Sequence, residues 1–182
     1  MGVVAFVCLS LALQAQGGWE LYYGGTAEDY GEAVVQTRDH GFLIAGYSES
    51  FGDDNDLDVY LIRTDVDGEV VWMKVVDEGW VEHAFDIVAA PDGGYVVVGD
   101  IVPDAATPSD MYMLKVDERG EVLWSRQFGG AGTDQAFAVT VAPDGGYLLA
   151  GRSNSFGTGQ DDIYIVKTDA EGNFQWDQVF GG

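Results

Sequence analysis

Four tryptophans, Trp19, Trp72, Trp124 and Trp176, stand 53, 52 and 52 residues apart. Spacing that regular over nearly a whole chain means an internal repeat, and every other reading of the sequence has to fit it. Further residues keep the same register. Asp39, Asp92 and Asp144 open DHGF, DGGY and DGGY, and Gly46, Gly99 and Gly151 close the apolar run that follows. DVYLIRTD, DMYMLKVD and DIYIVKTD then begin at Asp58, Asp110 and Asp162, placing Tyr60, Tyr112 and Tyr164 in register. After each comes a short turn, VDGEVVW, ERGEVLW or AEGNFQW, and the next tryptophan. The one additional residue of the first copy falls between Gly46 and Asp58, in a loop, where an insertion is tolerated best.

Each copy holds four strand-like runs, in the last full copy about 136–142, 146–152, 162–168 and 174–180. Between the first two sits PDGG, whose Asp caps a turn and whose glycines supply positive φ. DAEG makes a second hairpin. In the third run Ile163 and Ile165 fall on one face and Tyr164 and Val166 on the other, so both faces are apolar. A two-sheet sandwich predicts a polar outer face there, whereas a sheet stacked between two others is covered on both sides. The expected fold is all-β, a β-propeller-type array of four-stranded antiparallel blades. The copies read 19–71, 72–123 and 124–175, with the start of a fourth at 176–182. Closed propellers typically have about four to eight blades, so the expectation is an incomplete, open fragment of a longer propeller.

Against 31 acidic residues there are only 8 basic ones, a net charge of −23. Phosphate backbones and anionic lipid surfaces repel such a chain, which excludes nucleic acid as an expected partner. With 47% hydrophobic residues the chain is not a disordered polymer. Its 26 glycines against 4 prolines suit short strands joined by tight turns. Residues 3–13 are almost wholly apolar, too short for a bilayer of roughly 30 Å but suited to a secretory signal. Residues 1–18 therefore read as a signal peptide, and the protein as secreted, extracellular or at the cell surface, with no membrane insertion once the signal is removed. Cys8 is the sole cysteine and lies in this segment, so the mature chain is expected to carry no disulfide.

The pattern DGGYxxxGxSxSFG, then DxYxxKxD, then xxGxxxW and FGG resembles the repeats of about fifty residues in secreted bacterial and archaeal β-propeller-like proteins. It extends from Trp19 to Gly182, and the second copy departs from it, with GDIVPDAATPSD in place of GYSESFG or GRSNSFG. The resemblance implies a surface or adhesion module and names no activity. DERGEVLW and DAEGNFQW are also similar to the docking motif of quinoprotein dehydrogenase propellers, although they lack its Thr and are one residue shorter. That likeness implies that each tryptophan packs across a blade junction, burying some 150–250 Å².

Asp54, Asp56 and Asp58 alternate in DDNDLDVY, as in the first half of a calcium loop. Val59 stands where the sharp-turn glycine of an EF-hand belongs, and Asp58 alone of the three recurs, as Asp110 and Asp162. Asp58 thus has a competing reading, an acceptor of backbone hydrogen bonds at the start of a strand. Arg63, Lys115 and Lys167 also recur, and are expected to pair at the strand end with a neighbouring carboxylate such as Asp65, Asp117 or Asp169. His40 and His83 do not recur, and no CxxC or HExxH accompanies them. Ser48, Ser50, Ser153 and Ser155 lack the glycine that a G-x-S-x-G elbow needs. The reading that fits best is a non-catalytic extracellular module for binding or structural display, its ligand a protein or glycan and its cofactor none beyond calcium. The alternative is part of a propeller enzyme, a quinoprotein-like oxidoreductase or a hydrolase, with catalytic residues outside this segment.

Overall fold

The computed structural model describes residues 20–52, 56–104, 106–157 and 160–181. Residues 1–18, expected to be a signal peptide, Trp19 and Asp54 lie outside them. The described chain is all-β, twelve strands in three four-stranded antiparallel sheets, each ordered as the chain runs. The first sheet holds β1 (Asp29–Gln36), β2 (Phe42–Ser48), β3 (Asp58–Thr64) and β4 (Val70–Val76). The second holds β5 (Val81–Ala89), β6 (Tyr95–Val102), β7 (Asp110–Val116) and β8 (Val122–Phe128). The third holds β9 (Asp134–Val141), β10 (Tyr147–Ser153), β11 (Asp162–Thr168) and β12 (Phe174–Phe180). No helix of the described residues is long and apolar enough to cross a membrane.

Local chemistry sets the hairpins. The β3–β4 turn is held by one oxygen of Asp65, which accepts the backbone N–H groups of Asp67 and Glu69, both at 2.9 Å. Asp117 and Asp169 do the same for the other two outer hairpins. These are side-chain turns of the Asx type, and they end each third strand at the same residue. Asp65, Asp117 and Asp169 are therefore occupied by their own turns and are not the partners of the recurrent cations. Instead Arg63 pairs with Asp39, Lys115 with Asp92 at 2.5 Å and Lys167 with Asp144 at 2.9 Å. The register explains this correction: Leu43 pairs with Arg63 and Leu148 with Lys167, which brings the Asp of the preceding hairpin alongside the end of the third strand.

The glycine that closes each second strand answers to a bulge. The ladders of β1 with β2, β5 with β6 and β9 with β10 each slip by one residue, leaving Glu32, Phe85 and Phe137 without an opposite partner. A bulge turns a carbonyl toward the neighbouring strand. A methyl group at Gly46, Gly99 or Gly151 would lie 1.7 Å from the carbonyl oxygen of Tyr30, His83 or Gln135. No other residue fits there.

The sheets stack face to face, with their first strands drawn together, β1 against β5 and β5 against β9. Alternation along the strands decides which neighbour each side chain meets. Leu43, Ala45, Val59 and Leu61 of the first sheet pack on Tyr95, Val97, Tyr112 and Leu114 of the second. Val96, Val98, Met111 and Met113 point the other way, onto Tyr147, Leu149, Tyr164 and Val166 of the third. The middle sheet is thus apolar on both faces, and each of its buried Val, Leu and Met side chains contributes about 1.5–3 kcal/mol. On the far face of the third sheet, Ile163 is 58% exposed where its counterpart Met111 is fully buried. Tryptophan seals each junction: Trp72 joins the first core and Trp124 the second, while Trp176 is 46% exposed.

Candidate functional site

Three acidic residues stand at the heads of the first strands, Asp29 and Asp134 first in β1 and β9 and Glu82 second in β5, and their surroundings differ. Asp29 accepts Ser48 Oγ at 2.5 Å, Ser50 Oγ at 2.9 Å and the Gly25 backbone N–H at 2.7 Å. Asp134 accepts Ser155 Oγ at 2.5 Å and the Gly130 N–H at 2.9 Å. Ser48, Ser50 and Ser155 therefore solvate a carboxylate at the head of a strand. Nothing in their spacing revealed this, because their partner lies about twenty residues away in sequence.

The second copy breaks the pattern at three places. Glu82 stands in place of the aspartate and pairs across the ladder with Ile101, where Asp29 and Asp134 meet Ser48 and Ser153. Asp77 occupies the position of Gly129. At that glycine a methyl group would come 2.1 Å from Asp110 Oδ1 and 2.6 Å from Asp134 Oδ2, so a glycine there lies between two carboxylates. Substituting Asp77 adds a third.

The outcome is a cluster of Asp58, Asp77 and Glu82, each presenting an oxygen within 4.8 Å of the other two. Asp58 and Glu82 are fully buried and Asp77 is exposed. No donor meets either oxygen of Glu82 in hydrogen-bonding geometry, the Glu78 backbone N–H lying near enough only to act on its charge. Burial pushes its carboxyl up to about 8, with Asp58 and Asp77 adding to the rise, the Glu78 backbone N–H opposing it and Asp56 contributing least. The Glu82 N–H donates to the Leu57 carbonyl at 2.6 Å, tying the acidic loop to β5. Tyr112 Oη donates to Glu78 at 2.9 Å and anchors the β4–β5 connection. Of the acidic run, Asp58 enters the cluster, Asp56 lies near enough to act on Glu82, and Asp54 falls outside the described residues. Asp77 and Glu82 were not singled out by spacing, since sheet stacking alone brings them to Asp58. All three donors are hard oxygens of the kind that hold calcium or magnesium.

A second feature runs along the first strands. Tyr30 stacks on Tyr47 at 4.7 Å between centroids, Tyr47 meets His83 edge-on at 4.6 Å, and His83 stacks on Phe85 at 5.6 Å. Phe85 in turn lies 5.3 Å from Phe137, over which Arg152 sits at 6.0 Å. The row crosses both sheet junctions, and its end members Tyr30 and Phe137 are exposed. Phe85 and Phe137 are bulge residues. Polar groups fix the row: His83 Nδ1 lies 2.8 Å from Asp100, which accepts Gln135 Nε2 at 2.7 Å, while Gln135 accepts Arg152 Nε at 2.8 Å. His40, by contrast, is a turn residue with φ 68°.

The recurrent tyrosines of the third strands are packing residues with local variation. Tyr60 stacks on Phe51 at 4.9 Å and Tyr164 lies 5.1 Å from Phe156, both rings coming from the SFG segments. Tyr112, whose copy lacks that segment, is bonded to Glu78 as above.

No protein-family model matches the chain. It is similar to the protein named Regulatory protein FlaEY of Caulobacter vibrioides, 27% identical over 118 residues, an alignment that covers 58% of this chain. The chain spans 12% of the length of that curated relative.

Proposed function

We propose that this protein is a non-catalytic extracellular binding module built as a propeller-type array, and that its ligand is a neutral glycan. The observation that carries the reading is the aromatic row from Tyr30 to Phe137, continuous across two sheet junctions and open at both ends. Pyranose rings present C–H faces that stack on such side chains, and Gln135 and Arg152 supply polar groups beside them. The charge of −23 disfavours an anionic glycan. Repetition of one stacking mode at both junctions, with the first strands innermost, supports the propeller geometry, and the apolar leader supports export. Affinity electrophoresis through neutral and acidic polysaccharides tests the proposal. Retardation by a neutral polysaccharide, weakened about tenfold in Phe137→Ala and Tyr30→Ala with melting unchanged, is expected. Free migration through every neutral polysaccharide, or equal retardation of both variants, overturns it.

A further inference from the structure

We propose that Asp58, Asp77 and Glu82 form a calcium site at the junction of the first and second sheets. Two independent observations point there. The three carboxylates each place an oxygen within 4.8 Å of the others, so one ion at Ca–O distances of about 2.3–2.6 Å reaches all three. Glu82, fully buried, is directed into the cluster with neither oxygen bonded to a donor, and a buried carboxylate left so is costly unless a cation completes it.

The other copies show what the chain does without an ion. Asp29 and one oxygen of Asp134 are solvated by serine hydroxyls and by backbone N–H groups of the Gly-Gly turn, whereas Glu82 has neither oxygen so bonded. In the second copy the serine is Ile101, the first glycine is Asp77 and the acid is longer by one methylene, as Glu82. Ile101 removes a neutral donor and Asp77 adds a negative charge at one point, and a cation compensates both together. The donors are oxygens only, which selects a hard ion over zinc or copper. Calcium is favoured over magnesium because magnesium sheds its water reluctantly and two of the three ligands are fully buried. Exposed Asp77 leaves a path for the ion and for completing waters.

The test is calorimetric titration of the chelator-treated full chain with calcium and with magnesium, alongside thermal melts, in about 150 mM salt to suppress diffuse binding to the acidic surface. The wild type is expected to bind calcium saturably at one site and to melt higher with it. Glu82→Gln and Asp77→Asn should weaken that binding about tenfold or more. Without calcium, Glu82→Gln should melt no lower than the wild type, since it replaces a buried carboxyl that has no bonded donor. If Glu82→Gln does not fold, Asp77→Asn decides alone, because Asp77 lies at the surface. Absence of saturable calcium binding, undiminished binding in the variants, or tighter binding of magnesium would overturn the assignment.

Discussion

The six-membered ring of the Trp72 indole rests on Gly120: a methyl group there would lie 2.8 Å from both Cζ3 and Cη2. Trp72 belongs to the fourth strand of one sheet and Gly120 to the outer hairpin of the next. Trp124 meets Gly172 in the same way, at 2.7 Å. The period of the tryptophans is thus the period of a mechanical joint, in which each sheet lays one ring over the hairpin of its successor.

Gly120→Ala should strain the backbone, at φ 78°, and also drive a methyl group into the ring. Gly145→Ala, at φ 84° with nothing within 4 Å of the added carbon, isolates the backbone part. Urea denaturation should show Gly145→Ala losing about 1–2 kcal/mol, and Gly120→Ala losing about 1–3 kcal/mol more. Equal losses would mean that the Trp72 contact is slack.

His40 holds φ 68° at the turn position where the other copies have Gly93 and Gly145. A left-handed conformation costs a side chain about 1–2 kcal/mol, while glycine loses more entropy on folding, about 0.5–1 kcal/mol. His40→Gly should therefore stabilise the protein by a few tenths to about 1 kcal/mol in the same assay. A lower denaturation midpoint would show that His40 makes a contact worth more than its strain.

Hydrogen bonding from Lys167, and then from the Gly146 backbone N–H, holds the Asp144 carboxyl below its usual value of 3.8. A depressed folded pKa stabilises the protein above the unfolded value, and that stabilisation is lost as pH falls through the folded one. Thermal melts from about pH 2 to 7 should show Asp144→Asn below the wild type at neutral pH, the gap closing under about pH 4. A gap that persists in acid would assign the loss to the turn rather than to the ion pair.

The strands, the two hairpins of each copy and the apolar character of both faces were legible in the sequence, because turn chemistry and side-chain alternation act within a few residues. Asp65 holding Glu69, or Ile163 and Tyr164 taking opposite faces, needs no knowledge of the rest of the chain. Which charged groups meet was decided only by tertiary structure. Arg63 and Asp65 are neighbours in sequence, yet antiparallel pairing of β2 with β3 delivers Arg63 to Asp39. Likewise the spacing of Asp54, Asp56 and Asp58 suggested a local loop, whereas stacking of β5 against the first sheet carries Glu82 and Asp77 to Asp58. The glycines at 46, 99 and 151 could be seen to recur, but their cause is a bulge on the adjacent strand, which no pattern within the second strand encodes. Contacts along a strand follow from residue order; contacts between ladders and between sheets depend on register and on which face meets which, and these exist only once the sheets have stacked.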